Sequence, residues 1–426
     1  MTQTMINAYT PGQGKLTPED QARIARRTQL LGPAYRLFYE VPVHLTRGEG
    51  VWLYDTDNNA YLDCYNNVAS VGHCHPHVTA ATARQSQTFA SHTRYLHDMV
   101  LDYAERLLAT FPAALSHVMF TCTGSEANDL ALRVAFAHTG GTGLIVTENA
   151  YHGVTLATSA MSPSLGSGVN LGPGVRTVPA PDANFTAHVQ TAIADLLRHG
   201  IQPAALIVDT IFSSDGVYPD PPGFLKPAAD AIRAAGGLFV ADEVQPGFAR
   251  TGSHFWGFAR HDLIPDLVSL GKPMGNGYPI AGLVMKPEVI AKFGAKARYF
   301  NTFGGNAVAC ATAMAVLEVI QTEGLQANAM AVGTCFRDTL LALAKTHESL
   351  GPLRAAGLFL GQDIVTDGHP DGPKAARMVN ALRQRRILIS ATGPRGHTLK
   401  IRPPLVFSRA NVDRFMEGLE GVLNAL

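Results

Sequence analysis

This chain has no excess of charge, few cysteines and no long apolar run, and each shortage removes a class of function. Lysine plus arginine and aspartate plus glutamate both number 34 in 426 residues, so no net field recruits nucleic acid or an anionic membrane. No apolar run reaches transmembrane length, and the opening stretch, Met1 to Gly14, is polar without a signal-peptide core. Five cysteines, an odd number, argue for thiols in a reducing compartment, and hence a cytoplasmic protein, over a disulfide framework. There is no internal repeat and no low-complexity linker. What is left is the composition of a soluble enzyme, long enough for two or three domains around large cores.

The sequence divides softly. Thr2 to Arg27 is polar and then helix-like. Val51 to Leu62 alternates like hairpin strands around the turn cluster Asp55-Thr56-Asp57-Asn58-Asn59. From about Asp98 to Ile320, short apolar runs alternate with helical stretches. The runs are Val118-Met119-Phe120, Gly143 to Val146, Ala205 to Val208, Leu238 to Val240, Leu267 to Ser269 and Gly282 to Met285. This is the texture of a mostly parallel α/β sheet covered by helices on both faces. Ser162 to Pro181 reads as a loop rich in glycine, proline and serine, and from about Gln321 an α+β tail follows. The expected division is 1–97, 98–320 as a large domain, and 321–426.

Two short segments carry the chemistry. Asp242 closes the apolar run Leu238-Phe239-Val240, and Lys272 sits in the turn after the run that ends at Leu270. Pyridoxal phosphate (PLP) chemistry needs such a pair. A lysine amine holds the aldehyde as a Schiff base, and a carboxylate keeps the ring nitrogen protonated so the ring accepts electrons. An acidic strand end and an unrelated loop lysine would look the same. A third segment, Phe120-Thr121-Cys122-Thr123-Gly124-Ser125-Glu126, reads as strand, turn and helix start. Small hydroxyl residues and glycine at a helix N-terminus make an anion site, although Ser125 could serve only as a helix cap. A fourth, Asn301-Thr302-Phe303-Gly304-Gly305-Asn306, is another small-residue loop before an alanine-rich run.

Together the segments Asp242-Glu243-Val244-Gln245, Gly271-Lys272 and Thr302-Phe303-Gly304-Gly305-Asn306 resemble the class III aminotransferase family of fold-type I PLP enzymes. The similarity runs from about Arg36 to the C-terminus. A narrower resemblance lies upstream. Tyr61-Leu62-Asp63-Cys64-Tyr65-Asn66-Asn67 through His75-Pro76, with Thr93-Arg94-Tyr95-Leu96-His97-Asp98, is similar to the branch of ethanolamine-phosphate and phosphohydroxylysine phospho-lyases. The family resemblance implies a large α/β domain and a smaller α+β domain built from both chain ends. It also implies a role for each matching residue. Asp242 pairs with the ring nitrogen and Lys272 binds the aldehyde. Val244 presses on one ring face, Tyr151 stacks on the other, and Gln245 reaches the ring hydroxyl. Gly124 and Ser125 cradle the phosphate, and Thr302 reaches the same phosphate from the partner subunit, so a homodimer or tetramer with shared sites is implied. Asn67 and Arg94 are substrate-end candidates. Arg250 and Glu243 read as structural.

The reaction is a choice within the family. Aminotransferases of this class commonly clamp a carboxylate with the arginine of a Leu-Arg-x-x-Pro-Pro-Leu motif. Here the stretch is Leu399-Lys400-Ile401-Arg402-Pro403-Pro404-Leu405, with lysine at that position. Arginine's planar fork suits carboxylate, whereas lysine is a point charge also used on phosphate. Asp209-Thr210 replaces the usual Glu-Pro and departs from both branches. The expectation is a phospho-lyase acting on an amino-alcohol phosphate, O-phosphoethanolamine to acetaldehyde, ammonia and phosphate, with an ω-aminotransferase using pyruvate or 2-oxoglutarate as the alternative. A non-catalytic PLP-fold protein is a third reading, which the intact Asp242 and Lys272 pair opposes. Lys400 and Arg402 are both substrate-binding candidates, of which only one need touch substrate, on the ground that alternate strand residues face opposite ways, and the family position favours Lys400. Cys64, His73, Cys74, His75 and His77 lack a second paired ligand set, so no metal is expected. Arg383 to Arg386 reads as a solvated helix face.

Overall fold

The computed structural model describes residues 6–426. Its centre is a seven-stranded sheet. In spatial order the strands are His117–Thr121, Ala281–Met285, Leu267–Leu270, Leu238–Asp242, Pro203–Asp209, Gly143–Thr147 and Val175–Val178. Ala281–Met285 runs antiparallel to both neighbours and all the other pairings are parallel. Each apolar run named from the sequence forms one of these strands.

The runs are continuously apolar because both faces of the sheet are covered. Successive side chains alternate between two separate cores. Leu206 and Val208, Phe239 and Ala241, Val268 and Leu270 enter one core. Ile207, Leu238 and Val240, and Leu267 enter the other. The second core is closed by the helix Gly124–Thr139 through Leu130, Ala131 and Val134. Each fully buried side chain of this size contributes ~1.5–3 kcal/mol, so a one-residue slip in any central strand would exchange the two faces at high cost.

Two smaller sheets lie outside. Leu45–Glu49, Trp52–Asp55 and Ala60–Asp63 form an antiparallel meander, and Ile387–Leu388 joins it in parallel beside Ala60–Asp63. The two ends of the chain therefore share one sheet. Leu350–Ala356, Phe359–Thr366, Thr398–Ile401 and Ser390–Thr392 form the other, with the short strand His369–Pro370 beside Phe359–Thr366, all antiparallel. The anticipated hairpin turn is present, with Asp55 Oδ1 accepting from the N–H of Asp57 and Asn59. The loop expected over 162–181 contains the edge strand Val175–Val178, which its many glycines and prolines disguise. The expected boundary at 320 falls just inside the end of the helix Ala307–Thr322. The arginine cluster at 383–386 lies at the end of the helix Gly372–Gln384, where Arg385 Nη2 donates to Gly421 O.

Candidate active site

In an open parallel sheet, ligands bind beyond the carboxyl ends of the strands. Here Thr121, Thr147, Asp209, Asp242 and Leu270 all end at the same edge. A cavity of about 260 Å³ opens there, lined among others by Gly124, Ser125, Tyr151, Asp242, Val244, Gln245 and Lys272. Seven of the eight expected cofactor residues thus meet in one place.

Asp242 is 4 % exposed. Burial alone would push its carboxyl up. Three donors more than offset that and hold it below the usual carboxylate range. His152 Nδ1 lies 2.7 Å from Oδ2, Asn128 Nδ2 donates to the same oxygen at 2.9 Å, and the Val244 N–H donates to Oδ1 at 3.1 Å. Asn128 also donates to His152 O at 2.9 Å, so the three side chains lock together. The result is an oriented acid at the cavity floor whose ionised form is favoured.

Lys272 is likewise enclosed. Burial, reinforced by the Arg402 charge and opposed by Asp242 and Asp209, lowers its amine to about 8. An amine so placed is partly free base near neutral pH, which nucleophilic attack and proton abstraction both require. Its Nζ lies 6.0 Å from the centre of the Tyr151 ring.

The floor is shaped by absent side chains. A Cβ on Gly124 would come within 2.9 Å of Val244 Cγ2, and one on Gly271 within 3.2 Å of Val244 Cγ1 and 3.3 Å of Gly124 Cα. A side chain at Gly124 would force Val244 to shift, and one at Gly271 would crowd both Val244 and the Gly124 backbone. The helix beginning at Gly124 is capped by Thr123, not by Ser125: Thr123 Oγ1 accepts from the Glu126 N–H, and Glu126 Oε2 accepts from the Cys122 and Thr123 N–H groups. The capping box thereby leaves the Gly124 and Ser125 N–H groups for an anion at the positive end of the helix. Ser125 Oγ accepts from the Val154 N–H at 3.2 Å and keeps its own proton to donate.

The substrate-end residues are placed less uniformly. Lys400, in the strand Thr398–Ile401, and Arg402, just past its end, are 7 % and 6 % exposed, and neither lines the cavity. Residues two apart on a strand point the same way, so the strand period gives no ground for expecting only one of them at the site. Arg402 Nη1 donates to Gln245 Oε1, and its guanidinium lies 4.5 Å from the centre of the Tyr65 ring. Burial, then the Arg402 and Lys272 charges against those of Asp209 and Asp215, moves the Lys400 amine well below its ordinary value. Asn67 is buried beside the cavity residue Val68, with its Nδ2 unbonded. Thr302 and Arg94 do not line the cavity of their own chain. Thr302 is exposed, and Arg94 lies over the Phe300 ring at 3.7 Å.

Sequence reasoning missed His152 and Asn128. Asn128 carried a signal: it stands one helical turn after Gly124, on the same face. His152 comes from a loop that only the sheet order brings to Asp242. The Cys64 to His77 stretch holds no ligand cluster. Cys64 is buried, Cys74 is exposed, and His73, His75 and His77 pair with Asp63, Glu323 and Glu318. Arg250 is buried and donates to Leu358 O and Pro403 O, and Glu243 accepts from Thr210 Oγ1 and the Gly257 and Phe258 N–H groups. Both are bound up in packing.

A family model described as aminotransferase class-III matches residues 37–423. The chain belongs to this family. Its cofactor is pyridoxal 5′-phosphate, and the glycine-lined floor, the free N–H groups and the fixed Asp242 anion fit that group. A Drosophila melanogaster protein named alanine–glyoxylate aminotransferase 2-like is 38 % identical over 429 residues, 95 % of this chain and 87 % of that protein. The Caenorhabditis elegans ethanolamine-phosphate phospho-lyase homolog 1 is 35 % identical over 436 residues, covering 95 % and 93 %. Among solved structures, a phospholyase from Arthrobacter in complex with phosphoethanolamine superposes with a TM-score of 0.93 at 40 % identity, over 95 % of this chain and all of that one. This class III enzyme is therefore similar both to phospho-lyases and to aminotransferases.

Proposed function

We propose that the chain is a phospho-lyase that converts O-phosphoethanolamine, or a close amino-alcohol phosphate, to an aldehyde, ammonia and phosphate. The observation that carries this reading is the buried pair Lys400 and Arg402, the first in the Thr398–Ile401 strand and the second just past its end. Arg402 bonds the cavity residue Gln245, and Lys400 stands within electrostatic reach of Lys272 and Asp209, with lysine where class III aminotransferases commonly hold a carboxylate-clamping arginine. Two buried basic groups suit a dianion. The Arthrobacter and C. elegans relatives support the same reading by their names.

When bound, PLP supplies an electron sink conjugated to the substrate's amine-bearing carbon. Lys272 Nζ takes a proton from that carbon. The freed electron pair expels phosphate from the neighbouring carbon with cleavage of the C–O bond. Asp242, held by His152 and Asn128, keeps a proton on the cofactor ring nitrogen. Lys400 and Arg402 hold the phosphate before and after it leaves. One water is consumed overall as acetaldehyde and ammonia form.

The deciding experiment is incubation with O-phosphoethanolamine and no keto acid, with inorganic phosphate measured. Catalytic phosphate release with the cofactor remaining an aldehyde supports the lyase. Accumulation of aminated cofactor that needs pyruvate or 2-oxoglutarate to turn over makes the enzyme an ω-aminotransferase and Lys400 a carboxylate ligand.

The same reading includes a homodimer or tetramer with shared sites. Thr302 and the 69 %-exposed Phe303 stand out from the chain near the exposed Tyr95 and Leu96 segment and Phe300, an apolar surface that a second copy would cover. Sedimentation with and without PLP tests it, and a PLP-saturated, fully active monomer removes it.

A further inference from the structure

One bond joins Arg402 to the cofactor cavity. Its Nη1 donates to Oε1 of Gln245, an 8 %-exposed residue that lines the cavity together with Asp242 and Lys272. Arginine carries donors and no acceptor, so the atom that Gln245 turns to Arg402 must be its oxygen. Rotating the amide by half a turn would set N–H against N–H in a buried place. Among the described residues Gln245 makes no other side-chain hydrogen bond, so its Nε2 protons are left to the cavity. Arg402 is itself held. Its backbone N–H donates to Cys64 O at 2.9 Å, and its guanidinium lies 4.5 Å from the centre of the Tyr65 ring. Tyr65 is fixed in turn. Its N–H donates to Asp63 Oδ1 at 3.0 Å, and its ring meets Phe38 edge-on at 5.4 Å.

In PLP the ring hydroxyl neighbours the aldehyde carbon, on the side away from the phosphate arm. Lys272, Asp242 and the helix end at Gly124 account for the aldehyde, the ring nitrogen and the phosphate. The hydroxyl oxygen is left to the remaining cavity residues. Two amides line the cavity, and Asn128 has its Nδ2 engaged by His152 O and Asp242. Gln245 is the amide with protons to give. We propose that Arg402 is a positioning residue: by holding Gln245 Oε1 it turns Nε2 towards the ring oxygen of the cofactor, and so weakens that oxygen's hold on the proton it shares with Lys272 Nζ. An N–H donated to the oxygen favours its anionic form, so the proton leaves at a lower pH. This goes beyond the phospho-lyase reading and holds for either reaction.

The test titrates the visible absorbance of the PLP-loaded enzyme between about pH 5 and pH 10, with no substrate present. Losing one neutral hydrogen bond corresponds to a shift of about 0.5–1 pH unit. Gln245→Ala and Arg402→Met should each raise the midpoint by at least that much. Arg402→Met also removes a charge, so the two routes must be separated. The charged and titratable groups facing Lys272 are Asp242, Asp209, Arg402, Lys400 and Tyr151, and Gln245→Ala leaves all of them in place. The double variant therefore tells whether Arg402 acts through Gln245. If it does, Arg402→Met adds less than half of its shift once Gln245 is alanine. Fully additive shifts mean charge acting through space and overturn the proposal, as does an Arg402→Met midpoint equal to wild type. A Gln245→Ala midpoint equal to wild type removes the Gln245 contact and the proposal with it. Tyr65→Leu loosens the guanidinium without removing its charge, and serves if Arg402→Met folds poorly. It should raise the midpoint in the wild-type background and leave it unchanged beside Gln245→Ala, and equal shifts in both backgrounds overturn the proposal. No arm reads phosphate release, so the lyase reading stands or falls separately.

Discussion

The two ends of the cofactor site are built in opposite ways. Asp242 is buried, hydrogen-bonded to His152 and Asn128 and held at a strand end, and Lys272 stands just beyond the end of the neighbouring strand, so one chain brings this pair together. Around Thr302 and Arg94 the groups are exposed, and Arg94 rests on the Phe300 ring at the surface. The first region is preorganised by folding. The second acquires a role only if another copy supplies the missing surface. Chemistry and assembly are thus separable in this fold, and substitutions should show it.

The largest effect belongs to Lys272→Ala. It removes a general base, worth ~10²–10⁴-fold by itself, together with the covalent anchor. Turnover should be nearly abolished while PLP still binds, without the absorbance of the lysine-bound form. If that absorbance survives, Lys272 is not the anchor. Next comes Asp242→Asn, which keeps shape but removes the charge that holds the ring proton. Turnover should fall by ~10²-fold or more, the scale of losing one preorganised electrostatic group, with a smaller loss of PLP affinity. An unchanged rate for the slowest step would remove Asp242 from its role.

Lys400→Met comes third. One charge-assisted contact is worth ~1.5–3 kcal/mol, so kcat/KM for the phosphorylated amine should drop by ~10–100-fold while the spectral response to ethanolamine is kept. Equal losses for both amines would place Lys400 in the framework. A pH dependence follows. The Lys272 amine is lowered to about 8 and must be deprotonated to capture the aldehyde. The rate of PLP uptake by the apoenzyme should rise about tenfold per pH unit below 8 and level off above it. A rate still climbing steeply beyond pH 9 would show an unshifted lysine. The smallest effect tests the exposed region. Thr302→Ala should weaken PLP binding by only ~0.5–1.5 kcal/mol, and the deficit should depend on protein concentration if the hydroxyl comes from a second copy. A concentration-independent deficit would return Thr302 to its own chain.

Much of the buried region was legible because it is written locally. A parallel strand covered on both faces must be continuously apolar, and a residue that closes such a run, as Asp242 does, stands at the edge where ligands bind. Gly124 and Gly271 were visible as turn residues, though their reason, the contact with Val244, was not. What the sequence hid is nonlocal. The bonds from His152 and Asn128 to Asp242 depend on which strands are neighbours. The Thr123 cap was missed because Ser125 is an equally good cap by composition, and only the bond to the Glu126 N–H distinguishes them. The wrong assignment of faces to Lys400 and Arg402 came from miscounting a period of two.

The parallel pairing of Ile387–Leu388 with Ala60–Asp63 has a consequence for synthesis. The loop that follows Asp63, with Tyr65 under Arg402 and Asn67 beside the cavity, is braced by a strand from the far end of the chain. As the protein emerges from the ribosome, the seven-stranded sheet can assemble and gather Asp242 and Lys272 while that loop still has no neighbour. Affinity for cofactor should therefore precede selectivity for substrate in the life of each molecule. A nonsense mutation before Ile387 would leave a chain with its principal sheet encoded in full and its substrate wall unbraced.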